Sequence, residues 1–571
     1  MEKHERIQWQ VWGSKVFEQA RADKKPIFLS ISATWCHWCH VMDEEGFDHP
    51  EVIRRLNRDF IPVRVDSDKR PDINSRYNMG GWPTVVILDS EGRVSTGGTY
   101  LPTSQLLEMV SRGELKPAKG VSQAPEKSAG KRPGSGRAPD SGAVQHVLNW
   151  VERAFDRDYG GFGPPPKFPH PWILELIIKN PTRVNEPQWR QMASRTLDVM
   201  RDSELYDRED GGFFRYATRG DWDRPHFEKL LGTNSRMLSL YLDAYQILKE
   251  PTYLATARGV LDYLDTYLSP PDHPGYYGSQ TADEEYYSSS EEARLNLPPP
   301  PVDQTLYTDL NAEAAGALFK AGDILNKTEL TERAVALTGF LWKNLREPER
   351  GMRHCADGTS PLTGFLSDQV HMVSLLLTAY ERKGEGKYLE RGLLLLEIIN
   401  RTLWDERSGG YRDLPREADG EGFLKLEMKP LTENALAAMA LTRLSYMTGE
   451  ERHFKQAEKV LAFLSGIYKP YKHHGAVFAV ALEQFISPPE TVVIVGRRSD
   501  KTWGGLLEAA HRRTAAWKVV VPLDLADDRD RIERLGYPPA EKTRAYLCRG
   551  RTCLAPVDGP EELLKTRPAI T

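Results

Sequence analysis

One hexapeptide, Trp35-Cys36-His37-Trp38-Cys39-His40, concentrates the reactive side chains of the N-terminal region. Residues 26–32 before it are apolar and rich in strand formers, and residues 41–47 after it suit a helix. The sequence therefore predicts a Cys-x-x-Cys pair where a strand leads into the N-terminus of a helix.

Such a position favours the thiolate form of a cysteine. Unpaired backbone N–H groups and the positive end of the helix dipole stabilise an anion there, and the thiolate is the nucleophile in disulfide exchange. We expect Cys36 to attack and Cys39, one turn later, to resolve the mixed disulfide. A protonated His37 would favour the Cys36 thiolate further.

Three other interpretations of the same residues compete with redox chemistry. Cys36-His37-Trp38-Cys39-His40 matches the C-x-x-C-H pattern of c-type haem attachment, but residues 1–6 contain no apolar signal segment. A zinc site lacks a second ligand pair at the usual spacing. Two inert buried cysteines are the third possibility. The redox interpretation is favoured, and neither a metal nor a cofactor is expected.

The surrounding residues, 1–113, predict a thioredoxin-like domain. Strands at 26–32, 60–65 and 85–88 alternate with helices, and a hairpin closes the order. Pro83, at a strand entrance opposite the redox helix, is predicted to follow a cis peptide bond and to shape a substrate groove. Trp35 is expected at the rim of that groove.

Three further side chains of this domain are assigned by their position. Trp38, between the cysteines, is expected to be exposed. Asp66 and Asp68, after the second strand, are expected in a solvated loop, with polar support of the cysteines as the alternative.

The totals exclude several classes of protein. A chain of 571 residues is too long for one core, and its 40% hydrophobic and 27% charged residues are typical of globular domains. A net charge of −5 gives no reason to expect nucleic acid or an acidic membrane as partner. No apolar run is long enough for a membrane span, and five cysteines do not make a disulfide scaffold. We expect a cytoplasmic protein.

Residues 114–142 are predicted to be a flexible linker, because they contain almost no large apolar side chain. Residues 143–488 then repeat a glycine turn beside an aromatic residue. The turns are at Gly160-Gly161-Phe162, Gly211-Gly212-Phe213, Gly275-Tyr276 and Gly409-Gly410-Tyr411, with looser versions at Gly351-Met352 and from Gly475 to Phe478. Six units of helical-hairpin length predict an all-α (α/α)6 toroid, with an open solenoid as the alternative.

Polar loops of this six-hairpin barrel offer candidate site residues. His226 and Glu228 follow Trp222 in a short polar segment and could form an acid/base pair, or only a loop ion pair. Asp283 lies among aromatic residues, as in sugar-binding clefts, or in a solvated acidic loop. Asp309, Asn311, Asp368, Glu433 and Asn434 each open a helix and are predicted to be N-caps. His473-His474 is expected in a surface loop without a partner.

Residues 489–571 alternate strand and helix patterns and predict a small α/β C-terminal segment. Cys548 and Cys553 could form a second thiol pair, although buried packing is the simpler interpretation. Cys355 is assigned no role.

Motifs along the whole chain resemble those of the spermatogenesis-associated protein 20 family. The matching stretches are Cys36-His-Trp-Cys-His-Val-Met42, Val65-Asp66 with Arg70-Pro71-Asp72, Gly80-Gly-Trp-Pro83, Gly97-Gly-Thr-Tyr100, Gly160-Gly-Phe-Gly163 with Pro166-Lys-Phe-Pro169, Pro225-His-Phe-Glu-Lys229, and Tyr546-Leu-Cys548 with Cys553-Leu-Ala-Pro556. The resemblance implies a thioredoxin fold followed by a toroid similar to those of sugar epimerases and glycosidases.

Together these patterns predict a thiol–disulfide redox protein whose barrel binds a carbohydrate or a client. Its expected partners are protein thiols or disulfides, or a reductant, with a carbohydrate as a possible ligand. The alternatives are a carbohydrate-active enzyme regulated by the thioredoxin domain, and a scaffold without catalysis.

Overall fold

The structure is a computed structural model that describes residues 6–112, 139–416, 420–539, 542–550 and 552–567. Most of the predicted linker, 114–142, lies outside these residues. Its last part is the start of a helix, because the Asp140 carboxylate caps a helix that begins at Ser141.

The N-terminal domain has a four-stranded sheet between helices, in the order β2-β1-β3-β4. Strand β1 pairs parallel with β2 and antiparallel with β3, and β3 pairs antiparallel with β4. The elements are α1 (Ser14–Asp23), β1 (Ile27–Ser32), α2 (His37–Val41), α3 (Pro50–Asp59), β2 (Ile61–Asp66), α4 (Pro71–Tyr77), β3 (Thr84–Leu88), β4 (Val94–Gly98) and α5 (Thr103–Arg112). A π-helical turn, Met42–Phe47, continues α2. This is the predicted thioredoxin-like topology.

Twelve longer helices form a closed double ring. In chain order with the short helices between them they are α6 (Ser141–Ala154), α7 (Pro171–Ile178), α8 (Pro181–Asn185), α9 (Pro187–Asp202), α10 (Leu231–Leu248), α11 (Pro251–Tyr267), α12 (Glu284–Tyr287), α13 (Glu291–Arg294), α14 (Thr308–Leu325), α15 (Thr328–Leu345), α16 (Leu366–Lys383), α17 (Gly386–Thr402), α18 (Leu431–Thr448), α19 (Glu451–Ile467) and α20 (Ala476–Ile486). The inner helices contact one another in the order α7, α10, α14, α16, α18, α20 and back to α7. The outer helix α6 packs on α20, so the first and last helices close the circle. The predicted toroid is confirmed, and the open solenoid is excluded.

Short strands and 3-10 turns decorate the loops of the ring. They are β5 (Tyr216–Ala217), β6 (Pro225–His226), β7 (Lys229–Leu230), β8 (Ser279–Gln280), β9 (Val302–Asp303), β10 (Arg346–Glu347), β11 (Gly351–Met352) and the 3-10 turns Gly422–Lys425 and Lys469–Gly475.

One repeated amide contact holds the glycine turns against the inner helices. The side-chain oxygen accepts from a backbone N–H of the turn, and the side-chain NH₂ donates to the same turn residue's carbonyl. The pairs are Asn234 with Phe213, Asn311 with Tyr276, Gln369 with Met352 and Asn434 with Tyr411. The prediction that Asn311 and Asn434 are N-caps is therefore wrong. The turns need these amides because a buried backbone N–H without an acceptor is costly.

The C-terminal segment repeats the topology of the N-terminal domain. Its elements are β12 (Glu490–Gly496), α21 (Lys501–Arg512), β13 (Lys518–Asp524), α22 (Arg529–Leu535), β14 (Arg544–Arg549), β15 (Thr552–Cys553) and α23 (Pro560–Lys565). The sheet order is β13-β12-β14-β15, with β12 parallel to β13 and antiparallel to β14. Sequence patterns predicted an α/β segment but not this relationship, because no cysteine pair follows β12.

The two sheet domains lie at opposite ends of the inner helices. Tyr380, near the end of α16, donates a hydrogen bond to Pro522 of β13. At the start of the same helix, Asp368 contacts His354, whose other ring nitrogen meets Asp68 of the N-terminal domain. The ring therefore separates the two domains.

Candidate functional site

The two cysteines of the hexapeptide form a disulfide at the start of α2. Cys36 is the N-cap residue, and its sulfur accepts a hydrogen bond from the Cys39 backbone N–H at 3.2 Å. Strand β1 ends just before this turn, as predicted, and the Trp82–Pro83 peptide bond is cis, as predicted. His37 lies edge-on to Trp38, and Trp38 is 41% exposed.

The ring covers this redox pair. Cys36, Cys39 and Trp35 are each only 3% exposed. Trp82 of the N-terminal domain and Leu230 of the ring pack against them. Trp35 is thus buried rather than at a solvent-facing rim, because a segment of the ring lies over it and its backbone carbonyl accepts from Ala282 at 3.5 Å.

A ring arginine contacts the tryptophans that surround the disulfide. The Arg215 guanidinium lies 4.6 Å from the Trp35 ring centroid, 4.9 Å from that of Trp82 and 5.2 Å from that of Tyr216. Its backbone N–H donates to the Glu228 carbonyl. Cation–π contacts of this kind stabilise the arrangement by about 0.5–2 kcal/mol each.

The predicted pair His226 and Glu228 lies in the same region. The His226 Nδ1 and Glu228 Oε1 atoms are 3.7 Å apart, and the His226 ring stacks on Tyr216 at 4.6 Å. Glu228 is 2% exposed, and its Oε2 has no hydrogen-bond partner among the described residues. The two residues thus lie beside Arg215 and Tyr216 on the ring side of the redox site.

The other two barrel candidates have local structural contacts. Trp222 is fully buried, and its indole N–H donates to the Tyr159 carbonyl at 3.0 Å. The Asp283 carboxylate caps α12 by accepting from the Tyr286 N–H at 2.9 Å. The structure does not bring either residue together with His226 and Glu228.

Asp66 and Asp68 lie against the ring and not in a solvated loop, so that prediction is wrong. Asp68 accepts a 2.6 Å hydrogen bond from the Trp35 indole, and Asp66 accepts from Thr34 at 3.0 Å. Burial, and then the charge of Asp66, raise the pKa of Asp68 to about 7. Asp303 of the ring adds a further negative charge beside them.

A buried histidine links the two domains at the same edge. The Nδ1 of His354 is 3.0 Å from Asp368 Oδ1, and its Nε2 is 2.7 Å from the Asp68 carbonyl oxygen. Burial, the largest single influence, would lower the pKa of His354, but Asp368, Asp309 and the Asp68 carbonyl together outweigh burial and raise it. A protonated imidazole can donate from both nitrogens, to the Asp368 carboxylate and to the Asp68 carbonyl.

Asp309, His354 and Asp368 place three donor atoms within 4.8 Å of one another, close enough to hold a metal ion. Both nitrogens of His354 already have oxygen partners, however, so neither offers a free lone pair. The oxygen partners of the two His354 nitrogens therefore favour N–H groups at these positions over bonds to a metal ion.

A second buried contact joins α4 of the redox domain to the ring. Arg76 of α4 makes two hydrogen bonds to Asp413, at 2.7 and 3.2 Å, and donates to the Phe423 and Leu426 carbonyls. The side chains of Arg76 and Asp413 are 1% and 7% exposed.

The interior of the ring contains polar residues that sequence reasoning did not select as a site. Glu433 and His371, on the inner helices α18 and α16, are half-buried, and burial raises the pKa of Glu433. His371 Nδ1 is 2.8 Å from the Ser367 carbonyl, which leaves Nε2 free, and Ser367 Oγ donates to Asp309 at 2.7 Å.

One sequence prediction about the ring interior is wrong. Asp309, Asp368 and Glu433 are not N-caps, because their helices begin after Tyr307, Phe365 and Pro430 without a side-chain cap. His473 and His474 lie in the largely exposed 3-10 turn Lys469–Gly475, as the predicted surface loop requires, and their rings lie 5.6 and 5.2 Å from His170, a neighbour that the sequence did not identify. Asp309, Asp368 and Glu433 share a position in the first turn of successive inner helices, and that shared position was the sequence signal for a polar site inside the ring.

The remaining cysteines lie outside the redox site. Cys548 and Cys553 are register partners on β14 and β15 and form a disulfide, with the Tyr537 hydroxyl 3.4 Å from the Cys548 sulfur. Cys355 is a buried free thiol, and burial raises its pKa to about 11.

Comparison with known proteins agrees with the expected family. A family model named Thioredox_DsbH, described as a protein of unknown function, DUF255, matches residues 1–121. Spermatogenesis-associated protein 20 of Homo sapiens is 25% identical over an alignment that covers 98% of this chain and 89% of that protein. Disulfide bond reductase DsbH of Chlamydia pneumoniae is 25% identical over 15% of this chain and 59% of its own length. Cellobiose 2-epimerase from Bacillus thermoamylovorans B4167 is structurally similar at a TM-score of 0.46 and 10% identity, over 56% of this chain and 84% of that one.

The chain is thus a homologue of spermatogenesis-associated protein 20 along essentially its whole length. It joins a DsbH-like thioredoxin domain, with a Cys36–Cys39 pair, to an α/α toroid. None of the helices in the described ranges combines the length and the apolar character that crossing a bilayer requires.

Proposed function

We propose that this protein is a thiol–disulfide oxidoreductase whose ring controls access to the redox pair. The observation that carries the proposal is the cover over the disulfide: Cys36 and Cys39 are 3% exposed and pack against Leu230 of the ring. A folded client cannot reach sulfurs this buried, so exchange with a protein requires the redox domain to move off the ring.

In this proposal each residue of the hexapeptide has one role. Cys36 attacks as the thiolate, because the N-terminus of α2 and its π-helical continuation stabilise the anion. Cys39 then attacks the mixed disulfide and releases the reduced client. His37 supports the thiolate when protonated, while Trp35 and Pro83 line the groove that receives the client.

Trapping with Cys39→Ser tests the chemistry, because the mixed disulfide on Cys36 can no longer be resolved. We expect covalent adducts on Cys36, with small disulfides reacting in the intact chain and protein disulfides only when docking is weakened. Cys36→Ser, the matched control, should trap nothing. Absence of adducts on Cys36 with both kinds of disulfide would contradict the proposal.

A second function has support from the ring interior. Among the described residues the Glu433 carboxylate is hydrogen-bonded by its own backbone N–H and His371 Nε2 has no partner, so the two could act as general acid and base on a polyhydroxylated ligand. This interior pair is better placed for such chemistry than His226, Glu228 or Asp283. Incubation with a panel of reducing sugars should then show isomerised products that disappear with Glu433→Gln but persist with the exposed-site control Glu451→Gln. Products that persist with Glu433→Gln, or never form, would contradict this assignment.

A further inference from the structure

We propose that Arg215 of the ring selects small disulfides that carry a carboxylate and holds that carboxylate beside the Cys36–Cys39 pair. The inference rests on the proposed redox function and adds the substrate class. Arg215 reaches the redox pair through two tryptophans, since Trp35 and Trp82 both pack against the cysteines and both lie under its guanidinium.

The guanidinium of Arg215 lacks an acceptor. Among the described residues no carboxylate lies within 4.0 Å of it, and it donates no side-chain hydrogen bond. Two other arginines of the ring have acid partners: the half-buried Arg236 is 2.8 Å from Glu313, and the buried Arg294 is 2.7 Å from Asp210. The negative charge of Glu228 favours the Arg215 cation, but the Glu228 carboxylate is not within 4.0 Å of the guanidinium, and its Oε1 lies 3.7 Å from His226.

A second donor beside the cysteines is also unpaired. The indole N–H of Trp82 is buried and has no hydrogen-bond partner in the described part of the chain. Burying a donor without an acceptor is unfavourable, and a charged one more so. A carboxylate matches both donors, because guanidinium and carboxylate form paired charge-assisted hydrogen bonds.

The exchange balances from the reduced Cys36–Cys39 pair, which an external dithiol regenerates from the disulfide by giving up two electrons and becoming oxidised itself. The Cys36 thiolate attacks one sulfur of R–S–S–R, forms Cys36–S–S–R and expels RS⁻. The Cys39 thiolate then attacks the Cys36 sulfur, expels the second RS⁻ and forms the Cys36–Cys39 disulfide. Two electrons pass from the protein dithiol to the substrate, and the two RS⁻ groups take up the protons that the cysteines released.

Single-turnover oxidation of the reduced chain tests the selection. The probes are bis(2-carboxyethyl) disulfide, bis(2-hydroxyethyl) disulfide and cystamine, which have similar size and carry two negative charges, none and two positive charges. Free dithiothreitol supplies the intrinsic order of reactivity. After this correction we expect the wild-type chain to prefer the dianion over the neutral disulfide by about tenfold, the effect of one charge-assisted hydrogen bond. Cystamine should react more slowly than the neutral disulfide.

Three variants identify the residue responsible. Arg215→Gln should reduce the dianion preference to about one, and Arg215→Lys, which keeps the charge without the planar fork, should retain part of it. Arg219→Gln is the matched control, because Arg219 is more than half exposed and paired with Asp221 at 3.0 Å; it should keep the full preference.

The outcomes separate this inference from the proposed function. A wild-type chain that oxidises faster than dithiothreitol but without dianion preference would overturn the role of Arg215 alone. Equal slowing of all three disulfides in Arg215→Gln would also overturn it, since Arg215 would then act on the thiols and not on the substrate. A wild-type chain that oxidises no faster than dithiothreitol with every probe would refute the redox function itself.

Discussion

Removing Arg76 should release the redox domain from the ring. The side chain makes four hydrogen bonds to ring acceptors, two of them to the Asp413 carboxylate, and it is 1% exposed. Arg76→Ala leaves Asp413 buried without its cation, which costs about 3–5 kcal/mol in comparable pairs. Burial already raises the pKa of Asp413, so the unpaired carboxylate is poorly tolerated there.

That cost translates into chemical access to Cys36. At about 1.4 kcal/mol for each factor of ten, even the lower value raises the undocked fraction about a hundredfold. We expect the alkylation rate of reduced Cys36 by a maleimide carried on a protein-sized polyethylene glycol, which is too large to enter the docked site, to rise by the same factor when measured on the Cys36 peptide. The measurement is peptide-specific because the chain has four other cysteines.

Two variants control this experiment. Arg93→Ala removes an arginine whose side chain is 74% exposed and whose ion pair with Asp89 is worth little, so Cys36 should stay protected. Arg76→Met with Asp413→Leu removes both charges and should restore most of the protection. If Arg76→Ala folds with unchanged circular dichroism and Cys36 reacts at the wild-type rate, the ring is not what protects the cysteines.

Three further predictions follow from the same contacts. Because its pKa is raised in the docked state, Asp68 stabilises docking fully below about pH 4 and loses that contribution as the pH rises through about 7, so Cys36 should become easier to alkylate over that range. Asp68→Asn, which keeps an acceptor for Trp35, should flatten this pH profile, and an unchanged profile would show that other groups control it. Asn434→Ala should lower the free energy of unfolding by about 1–3 kcal/mol, because the Tyr411 N–H loses its buried acceptor; urea denaturation measures it, and a change below about 0.5 kcal/mol would argue against the amide contact. Glu228→Gln should leave sugar conversion unchanged if the ring interior is the catalytic site, which product analysis beside Glu433→Gln decides.

The helices, strands and turns could be predicted from the sequence, but the way in which the domains pack together could not. The sequence signals around the redox pair lie within a few residues of the structure that they predict. Composition, helix signals and the Cys-x-x-Cys spacing therefore sufficed to predict strand β1, the start of α2 and the cis bond before Pro83. The six hairpins could be predicted because the glycine turns repeat, and the ring closes as expected.

The docking could not be predicted, because its contacts join distant positions. His354 and Asp68 are 286 residues apart, and Arg76 and Asp413 are 337 apart, with no local pattern that marks either pair. Asp68 therefore looked like a loop residue. Glu433 was predicted to be an N-cap because acidic residues are common at helix starts, where they cap the helix.

The two disulfides at opposite ends of the inner helices change how the cysteine content of this protein must be counted. With Cys36 joined to Cys39 and Cys548 to Cys553, the unfolded oxidised chain presents one thiol, Cys355, and the fully reduced chain presents five. The ring keeps the pairs apart, so each equilibrates with an external redox buffer on its own. A whole-chain redox titration is consequently the sum of two two-electron curves, and a midpoint fitted to that sum as one curve belongs to neither pair.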